Sequence, residues 1–143
     1  MSRALDLSLY LVTDPGLCGS RGLAETVRAA VAGGVSVVQL RDKEAPDEVL
    51  IEQGRALKTA LAGTGVPLII NDRLRVAAAV GADGVHVGQS DASVAAAREL
   101  LGPETIIGLS IQTISHARAV AALPVDYVGI GPVFATATKA DHA

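Results

Sequence analysis

The sequence predicts an α/β fold built on a parallel β-sheet. Six short runs rich in Val, Ile and Leu alternate with segments whose apolar residues recur at helical spacing. The strand runs are almost wholly apolar, which is typical of strands covered on both faces. Because strand and helix patterns alternate along the whole chain, we expect β-α units and parallel strands.

The first half of the chain contains three predicted strands with helices between them. The helix after the first strand should end at Gly33 and Gly34, since glycine commonly follows a helix C-terminus. The next helix should begin at Pro46, with Asp47 and Glu48 favourably placed in its first turn. The predicted strands of this half are 8–13, 35–40 and 66–70.

The second half repeats the same arrangement. A short helix should end at Gly81 and a further helix at Gly102 and Pro103, whereas the last predicted helix covers 113–123. The predicted strands are 83–87, 105–109 and 126–131. No linker or low-complexity stretch divides the chain, so we expect a single domain over residues 1–143.

Composition excludes several classes of protein. The 143 residues fit one domain, and with only 2% aromatic residues the core must be aliphatic. A net charge of −3 without a block of like charges argues against a nucleic-acid surface. Cys18 is the single cysteine, so neither a disulfide framework nor a zinc cluster is expected. Because no signal peptide or membrane span is evident, we expect a cytoplasmic protein without a membrane partner.

Polar residues collect at the C-terminal ends of the predicted strands. In parallel β/α folds these ends open on one face, which is where such folds place their chemistry. Two carboxylates, an arginine, two lysines and several neutral hydrogen-bonding groups suit a metal ion and phosphates. The residues concerned are Gln39, Arg41, Lys43, Asn71, Asp72, Gln89, Asp91, Ser110, Thr136, Thr138 and Lys139.

Six strands leave two architectures open. A complete eight-stranded barrel needs at least about 200 residues. The chain therefore forms either an open, doubly wound sheet or a barrel without its last quarter. A dinucleotide-binding sheet has weak support, because the glycines of TDPGLCGSRG lack the G-x-G-x-x-G spacing.

Five collinear motifs carry a resemblance over nearly the whole chain. They are VQLRDK at 38–43, IINDR at 69–73, GADGVHVGQSD at 81–91, IIGLS at 106–110 and GPVFATATK at 131–139. Together they resemble the thiamine-phosphate synthase family. The resemblance implies an incomplete TIM-type (β/α) barrel with about six of its eight units. It also implies a transferase that couples 4-amino-2-methyl-5-hydroxymethylpyrimidine diphosphate to thiazole phosphate, giving thiamine phosphate and diphosphate with Mg²⁺.

The same resemblance implies a role for each matching residue. Asp72 and Asp91 would bind Mg²⁺, and Thr136, Ala137 and Thr138 would line the thiazole phosphate site. Arg41, Lys43, Ser110 and Lys139 would be catalytic. The pyrimidine diphosphate would be held by those four residues together with Gln39 and Asn71, and Asp42 is counted with the substrate-binding set. The family's phosphate-binding glycine loop and closing loop, on strands seven and eight, have no counterpart in this sequence.

The chemistry is consistent with these residue types. Mg²⁺ prefers oxygen ligands, usually one or two carboxylates with phosphate oxygens and water. Arg41 can bind two diphosphate oxygens, while Lys43 and Lys139 would add point charges from opposite sides of the cleft. A dissociative path through a stabilised benzylic-type cation needs no protein nucleophile, and none is evident.

Other interpretations stay open for several residues. Asp72, Asp91 and Thr113 could each be a helix N-cap, although two carboxylates at adjacent strand ends favour the metal. His86 is interpreted as an interior histidine with satisfied hydrogen bonds and is left out of the catalytic set. The functional alternatives are the related thiazole tautomerase and a truncated, non-catalytic barrel. A homo-oligomer or a partner chain could complete such a barrel.

Overall fold

The computed structural model describes residues 4–89 and 93–137. Its sheet has six strands in the order β1 to β6, and every adjacent pair is parallel. The strands are Tyr10–Val12, Val37–Leu40, Leu68–Asn71, Gly84–Val87, Ile106–Ile111 and Tyr127–Ile130. Since the spatial order follows the chain without reversal, the predicted barrel arc is confirmed and the doubly wound alternative is wrong.

The helices lie between the strands, and all but the short first one follow the predicted hydrophobic spacing. They are α1 Pro15–Cys18, α2 Leu23–Ala32, α3 Asp47–Leu61, α4 Leu74–Val80, α5 Val94–Leu101 and α6 Ile114–Val120, with a 3-10 turn at Gly19–Arg21. Gly81 ends α4 in the left-handed conformation at φ 68°, which glycine adopts without steric cost. Helices α2 to α5 pack successively against one another outside the sheet.

The side chains that point from the strands toward the helices form the main apolar core. We call these strand residues the helix-facing surface: Val38, Leu40, Ile70, Val85, Val87, Ile107 and Leu109. They pack in one cluster with helix residues such as Leu57 and Val76. Ile70 and Leu57 are both 0% exposed. Each fully buried side chain of this size stabilises the fold by about 1.5–3 kcal/mol.

The opposite side of the same strands faces the interior of the barrel arc. The strand period of two residues directs Gln39, Asn71, His86 and Ser110 to this side, between the residues of the helix-facing surface. The polar residues therefore lie on the face opposite the helix-facing surface, together with the fully buried apolar side chains of Val37 and Ile69.

The ends of the sheet differ from its centre. Within the described ranges, β1 is hydrogen-bonded only to β2, and β6 only to β5. Apolar side chains at these ends remain accessible, including Leu9 at 50% and Ile130 at 72%. Over the same described ranges, no helix has the length and apolar character needed to cross a bilayer.

Candidate functional site

A cavity of about 540 Å³ runs from the interior of the barrel arc to the carboxyl ends of its strands. Its lining includes four of the residues predicted from the sequence, namely Gln39, Arg41, Ser110 and Thr136. Small-molecule sites in proteins generally measure about 300–1,000 Å³. The cavity is therefore large enough for a ring-sized ligand, and it lies at the face where the sequence places the chemistry.

Arg41 is positioned by the end of β1. Its backbone N–H donates to the Thr13 hydroxyl at 3.1 Å, and the Thr13 N–H donates to the Gln39 carbonyl at 2.9 Å. Thr13 is only 5% exposed, so this connection is protected from water. The loop after β2 consequently begins from a fixed point, and it directs Arg41 to the cavity wall.

Lys43 and Asp72 form an ion pair at the rim of the arc, where β2 and β3 end, and neither residue is part of the cavity lining. Their side chains are 33% and 16% exposed, respectively. Asp72 has a left-handed backbone at φ 48°, and its N–H donates to the His86 carbonyl at 2.8 Å. A left-handed non-glycine residue is uncommon, and at functional sites such a conformation is kept only when its surroundings enforce it.

The N-cap interpretation of Asp72 is wrong. Arg73, one residue later, is the N-cap of α4, and it makes no capping hydrogen bond through its side chain. Thr113, in contrast, does cap α6, because its hydroxyl accepts from the His116 N–H at 3.0 Å. The Asp72 carboxylate faces Lys43 at the rim instead of the first turn of the helix.

Arg73 is a site residue that the sequence reading missed. Its guanidinium donates to the carbonyls of Lys43 at 3.0 Å and Asp42 at 3.3 Å, and to the Asp47 carboxylate at 3.1 Å. It also donates to the Ala45 carbonyl. Arg73 thus holds the loop that carries Lys43. The signal available in the sequence was its position directly after Asp72.

Asp42, predicted to bind substrate, has a structural role in that loop. Its Oδ1 accepts from the backbone N–H groups of Glu44 at 3.0 Å and Ala45 at 3.2 Å. Such Asx turns are a common means by which aspartate shapes a loop. Asp42 is absent from the cavity lining, whereas its neighbour Arg41 is part of it.

Six polar side chains, one from each strand, form a continuous hydrogen-bonded chain through the interior. We call it the interior network, and its members are Tyr10, Gln39, Asn71, His86, Ser110 and Tyr127. The successive distances are 2.9 Å for Asn71–Gln39, 2.9 Å for Gln39–Tyr10, 2.5 Å for Tyr10–Tyr127, 3.0 Å for Tyr127–His86 and 2.7 Å for His86–Ser110. The network joins β1 to β6 directly across the arc.

His86 has the environment expected of it. It is 9% exposed, its Nδ1 contacts the Tyr127 hydroxyl and its Nε2 contacts the Ser110 hydroxyl. The interpretation as a satisfied interior histidine is therefore consistent with its surroundings.

The two tyrosines of the interior network were not predicted as site residues. Their signal was that the only tyrosines of the chain both lie in strand runs, at positions that face inward.

Burial holds both phenols in their protonated form. Desolvation raises the pKa of Tyr10 above its ordinary value of 10.0, although its hydrogen bonds with Tyr127 and Gln39 oppose the shift. Desolvation likewise raises the pKa of Tyr127, and there the neighbouring Tyr10 adds to the shift. Each phenol therefore carries its proton at neutral pH and enters the network with one hydrogen to donate.

Glycine at position 108 makes room for the contact between Tyr127 and His86. A Cβ at Gly108 would lie 2.1 Å from the Tyr127 ring and 2.6 Å from His86 Nδ1, closer than real contacts allow. At Gly129, a Cβ would lie 3.3 Å from His86 Cε1, which is tight but less severe. The glycine of the IIGLS motif is thus required by the packing of the network.

The predicted metal ligands are only partly within the described residues. Asp72 lies at the rim, whereas Asp91 falls outside the described ranges, as do Thr138 and Lys139. Within 4–89 and 93–137, no group of three or more His, Cys, Asp or Glu side chains could hold an ion. Of the remaining predicted residues, Thr136 is exposed and lines the cavity, and Ala137 is exposed but does not.

The fold and the site define a class: a (β/α)-barrel protein with a polar, ligand-sized cavity at the carboxyl ends of its strands. Comparison with known proteins narrows this class. The family model described as thiamine monophosphate synthase matches residues 9–143. The chain belongs to this family.

Similar proteins agree with that assignment. The chain is 59% identical over 141 residues to a thiamine-phosphate synthase of Azorhizobium caulinodans, covering 99% of this chain and 66% of the relative. It is 56% identical to that of Xanthobacter autotrophicus, covering 99% and 67%. The solved thiamine phosphate pyrophosphorylase of Pyrococcus furiosus superposes with a TM-score of 0.82 at 36% identity, covering 92% of this chain and 63% of that one. The chain therefore spans about two thirds of the length of these relatives.

Proposed function

We propose that this chain forms the pyrimidine-diphosphate half of a thiamine-phosphate synthase site. The reaction couples 4-amino-2-methyl-5-hydroxymethylpyrimidine diphosphate to thiazole phosphate, and it releases diphosphate. One observation carries the proposal: Gln39, Arg41 and Ser110 line one cavity, and the Lys43–Asp72 pair lies where the adjacent strands β2 and β3 end. The substrates are thus small molecules, and the single cysteine favours a cytoplasmic location.

The cationic side chains would stabilise the leaving group. As the C–O bond to the diphosphate breaks, negative charge accumulates on the diphosphate oxygens, and the electron-rich aminopyrimidine stabilises the cation left behind. Arg41 at the cavity wall and Lys43 at its rim can face those oxygens before the reaction begins. Such preorganised electrostatic stabilisation is usually the largest catalytic contribution. The thiazole nitrogen then forms the new C–N bond, so no protein nucleophile is required.

The residues at the rim fit a Mg²⁺ ion in their donor chemistry. Asp72 supplies a carboxylate oxygen, the hard ligand that this ion prefers, and Asp91 would supply a second. When bound, Mg²⁺ would neutralise part of the diphosphate charge. Mg²⁺ commonly uses one or two carboxylates with phosphate oxygens and water, so a site with few protein ligands suits it.

A calorimetric titration tests the metal proposal. Diphosphate should bind to the chain more tightly with Mg²⁺ than without it, and Asp72→Asn should abolish the difference with little loss of folding. Glu25→Gln is a matched control, because it removes a carboxylate from an exposed ion pair on α2. Equal diphosphate affinity with and without Mg²⁺ would contradict the assignment.

A second experiment concerns the length of the chain. The relatives are longer, and in the described ranges β1 and β6 each have one neighbour in the sheet. We propose that the 143-residue chain binds the pyrimidine diphosphate but couples the two substrates slowly. Turnover should be compared with a version extended by the C-terminal part of a relative. Equal turnover would show that the extension is dispensable or is replaced by a partner chain.

The thiazole tautomerase is the weaker candidate. The relatives described above carry the synthase name, and the carboxylate–lysine pair at the rim suits a diphosphate and a metal. A tautomerase does not need a diphosphate-binding metal site. Thiazole isomerisation that continues unchanged after Mg²⁺ is chelated would favour this alternative.

A further inference from the structure

We propose that the interior network has a single direction, which fixes His86 in its Nε2–H tautomer and leaves the proton of the Ser110 hydroxyl available to the cavity. Tyr10, Tyr127 and His86 are then positioning residues that act through Ser110. The consequence for ligand binding rests on the proposed function, because it assumes a diphosphate in the cavity. The tautomer itself can be measured without any ligand.

The direction begins at Gln39. Its Oε1 accepts from Asn71 Nδ2 at 2.9 Å, so its other amide atom, Nε2, faces the Tyr10 hydroxyl at 2.9 Å. An amide nitrogen can only donate, and the Tyr10 oxygen must therefore accept. The single Tyr10 proton then remains for the next contact, with the Tyr127 hydroxyl at 2.5 Å.

The same assignment of donors and acceptors continues to His86. The Tyr127 oxygen accepts from Tyr10, so its own proton is donated to His86 Nδ1 at 3.0 Å. A neutral imidazole that accepts at Nδ1 carries its proton on Nε2. His86 Nε2 faces the Ser110 hydroxyl at 2.7 Å, and this contact is consequently a donation from histidine to serine. The assignment requires protonated phenols, which burial provides by raising the pKa of Tyr10 and of Tyr127.

The direction of the hydrogen bond between His86 and Ser110 determines which kind of ligand Ser110 can contact. When the Ser110 oxygen accepts from His86, its O–H can donate to a ligand in the cavity that it lines. Diphosphate oxygens are acceptors only, so they require such a donor. In the opposite sense Ser110 would donate to His86 and would present only lone pairs to the phosphates. The proposed direction therefore matches an anionic ligand.

The direct test is the tautomer of His86 by long-range ¹H–¹⁵N NMR on the ¹⁵N-histidine-labelled 143-residue chain. We expect a protonated, pyrrole-type Nε2 and an unprotonated, pyridine-type Nδ1, in a single tautomer. His86 can be assigned by substitution, since the chain has three histidines. A protonated Nδ1, or a mixture of the two tautomers in the unmodified chain, would overturn the proposal.

Reversing the first donation provides an independent check. Gln39→Glu replaces the donor by a carboxylate, which should accept the proton of the Tyr10 hydroxyl. The Tyr10 oxygen should then accept from Tyr127, and His86 Nδ1 should lose its donor. We expect the Nδ1–H tautomer to become populated. Gln112→Glu is the matched control, because Gln112 lines the same cavity but lies outside the network. An unchanged His86 tautomer in Gln39→Glu would contradict the proposed direction.

Binding of inorganic diphosphate tests the link to Ser110. Ser110→Ala and Tyr127→Phe should each weaken binding by roughly tenfold, the loss expected for one hydrogen bond to a charged group. Because Tyr127 acts through Ser110, the double variant should bind no more weakly than Ser110→Ala alone, whereas additive losses would overturn the positioning role. If the tautomer is as expected but Ser110→Ala has no effect on binding, the proposed function fails and the network direction stands.

Discussion

The two faces of the sheet are made from the same strands but have opposite characters. The helix-facing surface is wholly apolar and is packed in one cluster with the helices. The interior face carries a hydrogen-bonded polar side chain on every strand. On β3, for example, Ile70 is completely buried against the helices while its neighbour Asn71 belongs to the network.

This difference separates stability from ligand chemistry. Apolar burial is non-directional, so the helix-facing surface tolerates changes of shape at a cost that follows the volume removed. The interior face depends on the direction of individual hydrogen bonds, and a buried polar group that loses its partner costs about 1–3 kcal/mol. Substitutions on the helix-facing surface should therefore lower the free energy of unfolding without changing the His86 tautomer. Substitutions on the interior face should change the interior network.

The largest effect on stability is expected on the helix-facing surface. Ile70→Ala removes fully buried atoms and should lower the free energy of unfolding by about 2–5 kcal/mol. Ile70→Val is the graded control and should cost about 0.5–1.5 kcal/mol. Urea denaturation measures both losses. In the folded fraction the His86 tautomer should be unchanged, and a changed tautomer would show that the two faces are not independent.

Gly108→Ala should have a somewhat smaller effect on stability but a larger one on the network. The new methyl would overlap the Tyr127 ring and His86, and overpacking of this kind costs about 1–3 kcal/mol. Because Tyr127 must move, its hydrogen bond to His86 should be lost and the His86 ring signals should shift.

Gly129→Ala is the matched control for that substitution. It adds the same methyl near His86 Cε1, where the contact would be 3.3 Å, so the network should adjust without breaking. Denaturation and the histidine NMR signals should be measured for both variants. Equal losses of stability for Gly108→Ala and Gly129→Ala would contradict the conclusion that glycine at position 108 makes room for the contact between Tyr127 and His86.

The fold could be predicted from the sequence because it depends on local patterns. Apolar runs of strand length and glycine stops give the element order, and the observed strands lie at the predicted runs. Two strands continue beyond their predicted ends, β3 to Asn71 and β5 to Ile111. The proximity of Lys43 to Asp72 also follows, since adjacent parallel strands bring their ends together. These inferences need only the period and the order of the elements.

The interior network could not be predicted in the same way. Tyr10 and Tyr127 are 117 residues apart in sequence, and their contact depends on the curvature of the whole arc. Asp72 shows a different limit, because its left-handed backbone moves the helix N-cap to Arg73. Asp42 is predicted to bind substrate, and the sequence does not indicate that its Oδ1 accepts from two backbone N–H groups of its own loop.

The smallest effect is a dependence of stability on alkaline pH that arises from the interior face alone. Burial raises the pKa of Tyr10 and of Tyr127 above 10.0, so above that pH the unfolded chain loses phenolic protons that the folded chain keeps. Because the folded state then binds more protons, its stability must fall as pH rises, by up to about 1.4 kcal/mol per pH unit for each tyrosine. Below pH 10 neither state loses these protons, and the contribution of the phenols to stability is constant.

Urea denaturation between pH 9 and 11 should therefore show a shallower decline of stability for Tyr10→Phe than for the unmodified chain, whereas Ile70→Val should keep the original slope. Since the chain has only two tyrosines, phenolate absorbance of the folded protein reports on them directly and should stay low across this range. A phenolate signal that rises with an ordinary midpoint, before any unfolding, would mean that the interior face is open to water and that its hydrogen-bond direction is not held.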